Sequence, residues 1–225
     1  MSLQDIKTNA LKISLAVIIS AFVVEFLIGI ISNSLALVTD SVHAILDSIV
    51  TAILLVAAKW STKPADREHT YGHGKIETLG SFIAGIVILL ISSFFIYESI
   101  SRFQEPKPEV LPGVLAIVAA VYALGSIFFR IAILKRALKK TDGSTLRVDL
   151  YHALMDMGAT SVALVGIVFV IMGFYQGDYI AALILGVMLA ILSLKLIHKS
   201  GLELTDAVPA NMVRRVQDIV SNTPG

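Results

Sequence analysis

A pattern of eight residues occurs twice inside long apolar stretches of this 225-residue sequence. The first copy is DSVHAILD at residues 40–47, and the second is DLYHALMD at residues 149–156, so both read D-x-x-H-A-x-x-D. On an α-helix, positions separated by three, four and seven residues lie on one face. Each copy therefore predicts a helix that carries two carboxylates and one imidazole along a single stripe. Charged groups within a membrane are costly and usually mark a substrate path.

The composition indicates a membrane protein. Hydrophobic residues make up 56% of the chain and the mean hydropathy is +0.83, whereas a soluble domain is about 45–50% apolar. Six apolar segments approach the ~20 residues that a membrane-spanning helix needs. We therefore predict an all-α membrane protein with six transmembrane helices, near residues 11–31, 35–58, 77–100, 111–135, 147–173 and 179–198.

The basic residues predict the orientation of these helices. Of the 18 lysine and arginine residues, 16 lie in the N-terminus, in segments 59–75 and 130–147, and in the tail from residue 195. Because cytoplasmic loops are enriched in lysine and arginine, both termini are predicted to be cytoplasmic. Residues 1–205 would then form the transmembrane domain. Residues 206–225 would be the beginning of a cytoplasmic domain, truncated or vestigial, because so short a segment cannot bury a core of its own.

Other features of the sequence exclude several classes of protein. A net charge of +1 gives no general affinity for nucleic acid. The absence of cysteine excludes disulfides and thiolate metal sites. No metalloprotease, hydrolase or nucleotide-binding signature occurs, so we predict that the chain is not an enzyme. Transport by such a chain would depend on an ion gradient.

The two stripes offer the ligands of one metal site. If the two helices face each other, they supply two imidazoles and two carboxylates, from His43, Asp47, His152 and Asp156. Zinc accepts a tetrahedral set of this kind where sulfur is absent. The alternative is that these groups only pack helices together, but the repeated spacing favours a metal. Asp40 and Asp149, one turn before each histidine, either orient the imidazoles, attract cations to the cytoplasmic approach, or stabilise helix ends.

A second polar cluster lies in the basic segment after the second span. Asp66, His69 and His73 are spaced by three and four residues, and in a loop they can converge on one ion. Gly72 and Gly74 flank His73 and permit unusual backbone dihedrals. The alternative is a solvated polar loop.

Glu25 and Glu98 also lie within the predicted spans, and Arg102 lies just after the third. Glu25 is expected to face the bundle, either neutral or paired, because an unpaired carboxylate at membrane depth is expensive. Glu98 and Arg102 are four residues apart, which predicts an ion pair on a helix surface.

Taken together, these motifs resemble the cation diffusion facilitator family, in its branch of bacterial zinc/proton antiporters. The resemblance covers the whole chain and rests on the paired H-x-x-x-D motifs, the PADxxHxxGHGK segment at residues 64–75, and the six spans. It implies that the transported metal binds at His43, Asp47, His152 and Asp156. It also implies a further zinc site at Asp66, His69 and His73, and a charge interlock between Lys75 and Asp206.

The same resemblance implies a function. Zinc would be exported from the cytoplasm in exchange for protons by alternating access, and the His-Asp/His-Asp ligand set is similar to that of zinc-preferring members. Zinc would be the cargo and also a structural ion in the loop. Members typically act as homodimers in the lipid bilayer, here the bacterial cytoplasmic (inner) membrane. The open alternatives are export of cadmium, iron, cobalt or manganese, a membrane-embedded metal-dependent hydrolase, and a metal sensor that does not transport.

Overall fold

The computed structural model describes residues 3–61, 75–104, 114–140, 144–207 and 221. Within those ranges the chain forms six helices and no strand, which confirms the predicted all-α fold. The helices are α1 (Leu3–Ile31), α2 (Leu35–Ser61), α3 (Lys75–Gln104), α4 (Val114–Leu138), α5 (Ser144–Ile171) and α6 (Gln176–Leu204). Each predicted span coincides with one helix. Several helices extend beyond the apolar segment, because polar residues can continue the backbone hydrogen bonding outside the apolar layer.

One part of the loop prediction is wrong. Residues 130–147 were expected to be a basic loop, but α4 continues to Leu138 and α5 begins at Ser144. Arg130 therefore belongs to a helix, and it is only 4% exposed. Its neighbours Ile127 and Ile131 are also buried. Arg130 lies both in the basic segment and in the predicted span at 111–135, and the bundle encloses its charge as the span predicts.

The outer surface of the bundle is apolar. Five of the helices are long and apolar enough to cross a membrane in the part of the chain that the structure describes, and α2 has an additional apolar stretch at Leu35–Leu46. Large hydrophobic side chains on their outward faces are exposed, for example Leu90 and Phe94 on α3 and Phe128 on α4. Such apolar faces are compatible with lipid. The helices also satisfy their own backbone hydrogen bonds, as a lipid environment requires.

The helices form two groups, α3 with α6, and α1 with α2, α4 and α5. Helices α2 and α5 make the contacts between the two groups. Helices α3 and α6 pack along most of their length, and glycines allow the close approach. A Cβ atom on Gly85 would lie 2.7 Å from Ile197 Cγ1, and one on Gly186 would lie 3.1 Å from Ile96 Cγ1. In the second group, α4 packs against α1 and α5, and α2 packs against α1 and α5. The second group surrounds the polar interior.

Candidate metal centre

A carboxylate from α6 fixes the start of α2. Asp178 is fully buried and accepts hydrogen bonds from the backbone N–H groups of Leu35 (2.7 Å) and Ala36 (3.3 Å) and from the hydroxyl of Ser34. The first N–H groups of a helix lack partners within the helix, and a negative charge is favourable there. This cap sets the depth of α2 and therefore the depth of the first polar stripe.

The first stripe points into the bundle. Asp40 and His43 are 3% and 4% exposed. The carboxyl group of Asp40 lies within hydrogen-bonding reach of Thr160 on α5 and Glu25 on α1. The side chain of Asp47 lies outside the part of the chain that the structure describes. The described side chains of this stripe therefore face α1 and α5, as a site shared between helices requires.

The second stripe binds an arginine from α4. Asp149 accepts hydrogen bonds through both carboxylate oxygens, Oδ1 from Arg130 Nη2 and Oδ2 from the Ser14 hydroxyl at 2.7 Å. Asp156 Oδ2 accepts a hydrogen bond from Arg130 Nη1 at 2.7 Å. His152 lies between the two carboxylates along α5 and is half-buried. The partners of Asp149 are thus a guanidinium and a hydroxyl.

A cavity of ≈ 30 Å³ lies where α1, α2, α4 and α5 meet. This is enough space for a water molecule or a small ion. Its polar lining comes from all four helices and consists of Glu25, Asp40, His43, Ser126, Arg130, Asp156 and Thr160. The cavity thus brings together one predicted ligand from each stripe, His43 and Asp156. His152 does not line it.

The described side chains do not form a closed metal site. Across the described ranges, no group of three or more His, Asp or Glu side chains is arranged to hold a metal ion. In this arrangement Asp156 is paired with Arg130. The chemistry of the cavity still fits a divalent cation, because it combines an imidazole with three carboxyl groups, and zinc binds such nitrogen and oxygen ligands.

The structure describes the predicted charge interlock but not the predicted loop site. Asp66, His69 and His73 lie outside the described residues. Lys75 Nζ is 2.7 Å from Asp206 Oδ2, so the beginning of α3 is paired with the residues that follow α6. Both side chains are exposed, at 59% and 78%.

Two important residues were not identified from the sequence. Arg130 had a usable signal, because four apolar residues at 131–134 follow it, which is unusual at the start of a loop. Asp178 had none, because its partners at the start of α2 are more than 140 positions away in the chain. The ion pair predicted between Glu98 and Arg102 is confirmed, with Nε to Oε1 at 2.9 Å, and Arg102 also donates to the carbonyl oxygen of Asn33.

Comparison with known families gives a match over most of the chain. The family model described as "Cation efflux transmembrane domain" matches residues 11–205. The chain is thus a multi-pass helical membrane protein with a polar cavity enclosed by four helices. It belongs to the cation efflux family, which agrees with the resemblance to the cation diffusion facilitators.

Individual relatives are similar at lower identity. "Metal tolerance protein C1" of Arabidopsis thaliana is 27% identical, over 95% of this chain and 49% of its own length. "Zinc transporter ZitB" of Yersinia pestis is 29% identical, over 92% of this chain and 65% of its own length. "Cadmium, cobalt and zinc/H(+)-K(+) antiporter" of Bacillus subtilis is 28% identical, over 96% and 69%. The chain spans about half to two thirds of the length of most of these curated relatives.

Proposed function

We propose that this chain exports a divalent metal cation, zinc in the first place, from the cytoplasm in exchange for protons. The observation that carries the proposal is the cavity between α1, α2, α4 and α5, which joins His43 of one repeated motif to Asp156 of the other. Family membership supports the transport of cations. Similarity to two relatives, a zinc transporter and a cadmium, cobalt and zinc/H(+)-K(+) antiporter, supports zinc and proton exchange. We propose no enzymatic activity for this chain.

The proposed cargo ligands are the four residues of the paired motifs, His43, Asp47, His152 and Asp156. His43 and Asp156 already share the cavity. Closure of the set requires a movement of α5 that brings His152 to the same ion and separates Asp156 from Arg130. Rocking of helix groups around a site near the middle of the membrane is the general way in which transporters expose such a site to each side in turn.

Proton exchange follows from the chemistry of these ligands. A metal binds neutral imidazole and ionised carboxylate, so it competes with protons for His43 and the aspartates. Zinc that enters from the cytoplasm releases protons, and protons that enter from the other side release zinc. Proton counter-transport also reduces the net charge moved, and each elementary charge is worth about 2.3 kcal/mol per 100 mV of membrane potential.

Several further features belong to the same proposal. Both termini lie in the cytoplasm, residues 1–205 form the transport domain, and residues 206–225 begin a cytoplasmic domain. The protein acts as a homodimer in a bacterial inner membrane. Asp66, His69 and His73 hold a second zinc ion, and the Lys75–Asp206 pair interlocks the cytoplasmic ends of α3 and α6.

Zinc flux into proteoliposomes tests the proposal. An imposed pH gradient should drive zinc uptake in the direction opposite to proton flow, and dissipation of the gradient should abolish this uptake. Asp156→Asn should reduce the flux by about 10²-fold or more, because it removes an anionic ligand of the cargo. Glu98→Gln is the matched control, since it removes a carboxylate that pairs with Arg102 and does not line the cavity. Its flux should stay close to that of the wild type.

Two outcomes would contradict the proposal. Flux that is indifferent to the pH gradient would remove proton coupling, and full flux in Asp156→Asn would remove the α5 motif from the cargo site. Competition by cadmium, cobalt, iron and manganese in the same assay identifies the preferred metal. The cadmium, cobalt and zinc antiporter among the relatives makes a broader metal range the leading alternative to zinc alone.

A further inference from the structure

Arg130 is enclosed by the bundle and has a hydrogen-bond partner for each part of its guanidinium. Its Nε donates to the Ser14 hydroxyl at 2.8 Å, its Nη1 donates to Asp156 at 2.7 Å, and its Nη2 donates to Asp149. A buried charge is tolerated in a protein when it is paired and fully hydrogen-bonded. This arginine therefore links α4 to α1 and α5 at the depth of the polar cavity.

The contacts of Arg130 fall into two kinds. Ser14, Asp149 and Arg130 form a closed ring, because the Ser14 hydroxyl accepts from the arginine and donates to Asp149 at 2.7 Å. The other two members of the ring, Ser14 and Asp149, do not line the cavity. The third contact leaves the ring and reaches Asp156, which does line the cavity. One end of the guanidinium is thus anchored, and the other holds a proposed cargo ligand.

A metal ion and this guanidinium compete for the same carboxylate. Two positive charges that share one carboxylate lie only a few ångströms apart, and they repel each other strongly in a site with little water. We propose that Arg130 is an internal counter-cation: it holds Asp156 while the cavity contains no metal and releases Asp156 when a metal binds. The inference rests on the proposed function, because it assumes that Asp156 is a ligand of the cargo.

Two further acidic side chains share the cavity with Arg130. Glu25 Oε1 and Asp40 Oδ2 are buried and have no hydrogen-bond partner among the residues that the structure describes. Both residues line the same cavity as Arg130. When metal takes Asp156, Nη1 loses this acceptor, while Nε and Nη2 stay with Ser14 and Asp149. The guanidinium then remains beside the cavity, where its charge partly offsets the charge of the remaining acidic side chains.

The counter-cation lowers metal affinity and favours release. Without it, the carboxylates of the cavity would attract a divalent cation more strongly, and the cargo would leave slowly. Arg130→Gln should therefore bind Zn²⁺ at least about tenfold more tightly than the wild type, because it removes a like charge from the site. It should also transport zinc with a lower KM and a lower maximal rate.

Titration of the purified full chain in lipid nanodiscs, with a chromophoric zinc chelator as competitor, measures this affinity. Arg102→Gln is the matched control: it removes another helical arginine that is paired with a carboxylate but lies outside the cavity lining, and its affinity should be unchanged. Arg130→Lys keeps the charge but cannot donate to three partners, and its affinity should fall between those of the wild type and Arg130→Gln.

A double-mutant cycle provides a test that does not depend on one variant. Asp149→Asn should weaken zinc binding, because the full charge of Arg130 then falls on Asp156. That loss should disappear in Arg130→Gln/Asp149→Asn, whereas a loss that persists would show that Asp149 acts on His152 directly and would overturn the inference. Should Arg130→Gln fail to fold, Arg130→Lys should still bind zinc more tightly than the wild type. Weaker or unchanged binding in Arg130→Lys would then contradict the inference.

The failure of the inference is distinguishable from failure of the proposed function. If Asp156→Asn abolishes zinc binding but Arg130→Gln does not strengthen it, the transport site stands and the counter-cation does not. If Asp156→Asn binds zinc as the wild type does, the proposed cargo site itself is wrong.

Discussion

The two groups of helices satisfy their buried polar side chains in different ways. In the α3–α6 pair, the hydroxyl groups of Ser92, Ser99 and Ser193 donate to carbonyl oxygens of their own helices. Such bonds do not depend on a neighbouring helix. Buried hydroxyls of α2, such as those of Thr39 and Ser41, do the same, but around the cavity charged groups also bond between helices, as in the contacts of Arg130 with α1 and α5.

This difference has a consequence for motion. The α3–α6 contact is held by close packing of glycines against apolar side chains, and any separation of the two helices loses that contact. The contacts around the cavity are hydrogen bonds and ion pairs that can be exchanged for others of the same kind, including bonds to a metal. We infer that α3 and α6 act as the frame, and that the charged contacts of α1, α2, α4 and α5 change during transport.

Asp178 joins α6 to the beginning of α2, and its replacement is expected to have the largest effect on stability. Asp178→Ala leaves the N–H groups of Leu35 and Ala36 and the hydroxyl of Ser34 without their buried acceptor, at a cost of about 3 kcal/mol. The thermal midpoint of the purified protein should fall accordingly. Asp178→Asn keeps an acceptor oxygen and should lose less. Equal midpoints for the wild type and Asp178→Ala would show that α2 does not depend on α6 for its position.

A second test compares the same substitution at two glycines, one in the α3–α6 frame and one outside it. Gly85→Ala places a Cβ atom 2.7 Å from Ile197 Cγ1 and 3.3 Å from the Ile197 nitrogen, whereas a Cβ atom on Gly125 meets no atom within 4 Å. Overpacking of this kind costs about 2 kcal/mol. Both changes gain the same helix propensity, so the difference between their thermal midpoints isolates the clash. No difference would mean that α3 and α6 are not tightly packed.

The smallest effect is expected at the ion pair between the beginning of α3 and the residues that follow α6. Lys75→Ala removes the ion pair with Asp206, in which both side chains are largely exposed. Exposed pairs contribute about 1 kcal/mol or less, and salt screens them. The thermal midpoint should therefore change little and should change even less at high ionic strength. A large loss of stability that persists in high salt would indicate that this pair is part of the frame and more than a surface contact.

The helices could be predicted from the sequence, but most side-chain contacts between different helices could not. Hydropathy identified all six helices, and within the described residues five of them are long and apolar enough to cross a membrane. The i, i+4 pair of Glu98 and Arg102 was also predictable, since both residues are on one helix. The partners of Arg130 were not predictable, because Ser14 lies 116 positions away and the side chain contacts two other helices.

The candidate site was also predictable only in part. The repeated motif placed His43 and Asp156 on stripes that could face each other, and the structure brings both to one cavity. Periodicity could not indicate that α4 would insert a guanidinium beside the second stripe, because a stripe records only the residues of its own helix. The parts played by Asp47 and His152, and the loop site at Asp66, His69 and His73, stay predictions.

Anomalous diffraction at the zinc absorption edge tests the central claim most directly. Crystals of the full chain, with Asp66→Ala included to remove the loop site, would be grown with zinc. The account predicts a peak in the cavity between α2 and α5, at about 2.0–2.2 Å from a ring nitrogen of His43 and a carboxylate oxygen of Asp156. Strong zinc peaks elsewhere in the protein, with none between these two side chains, would contradict it.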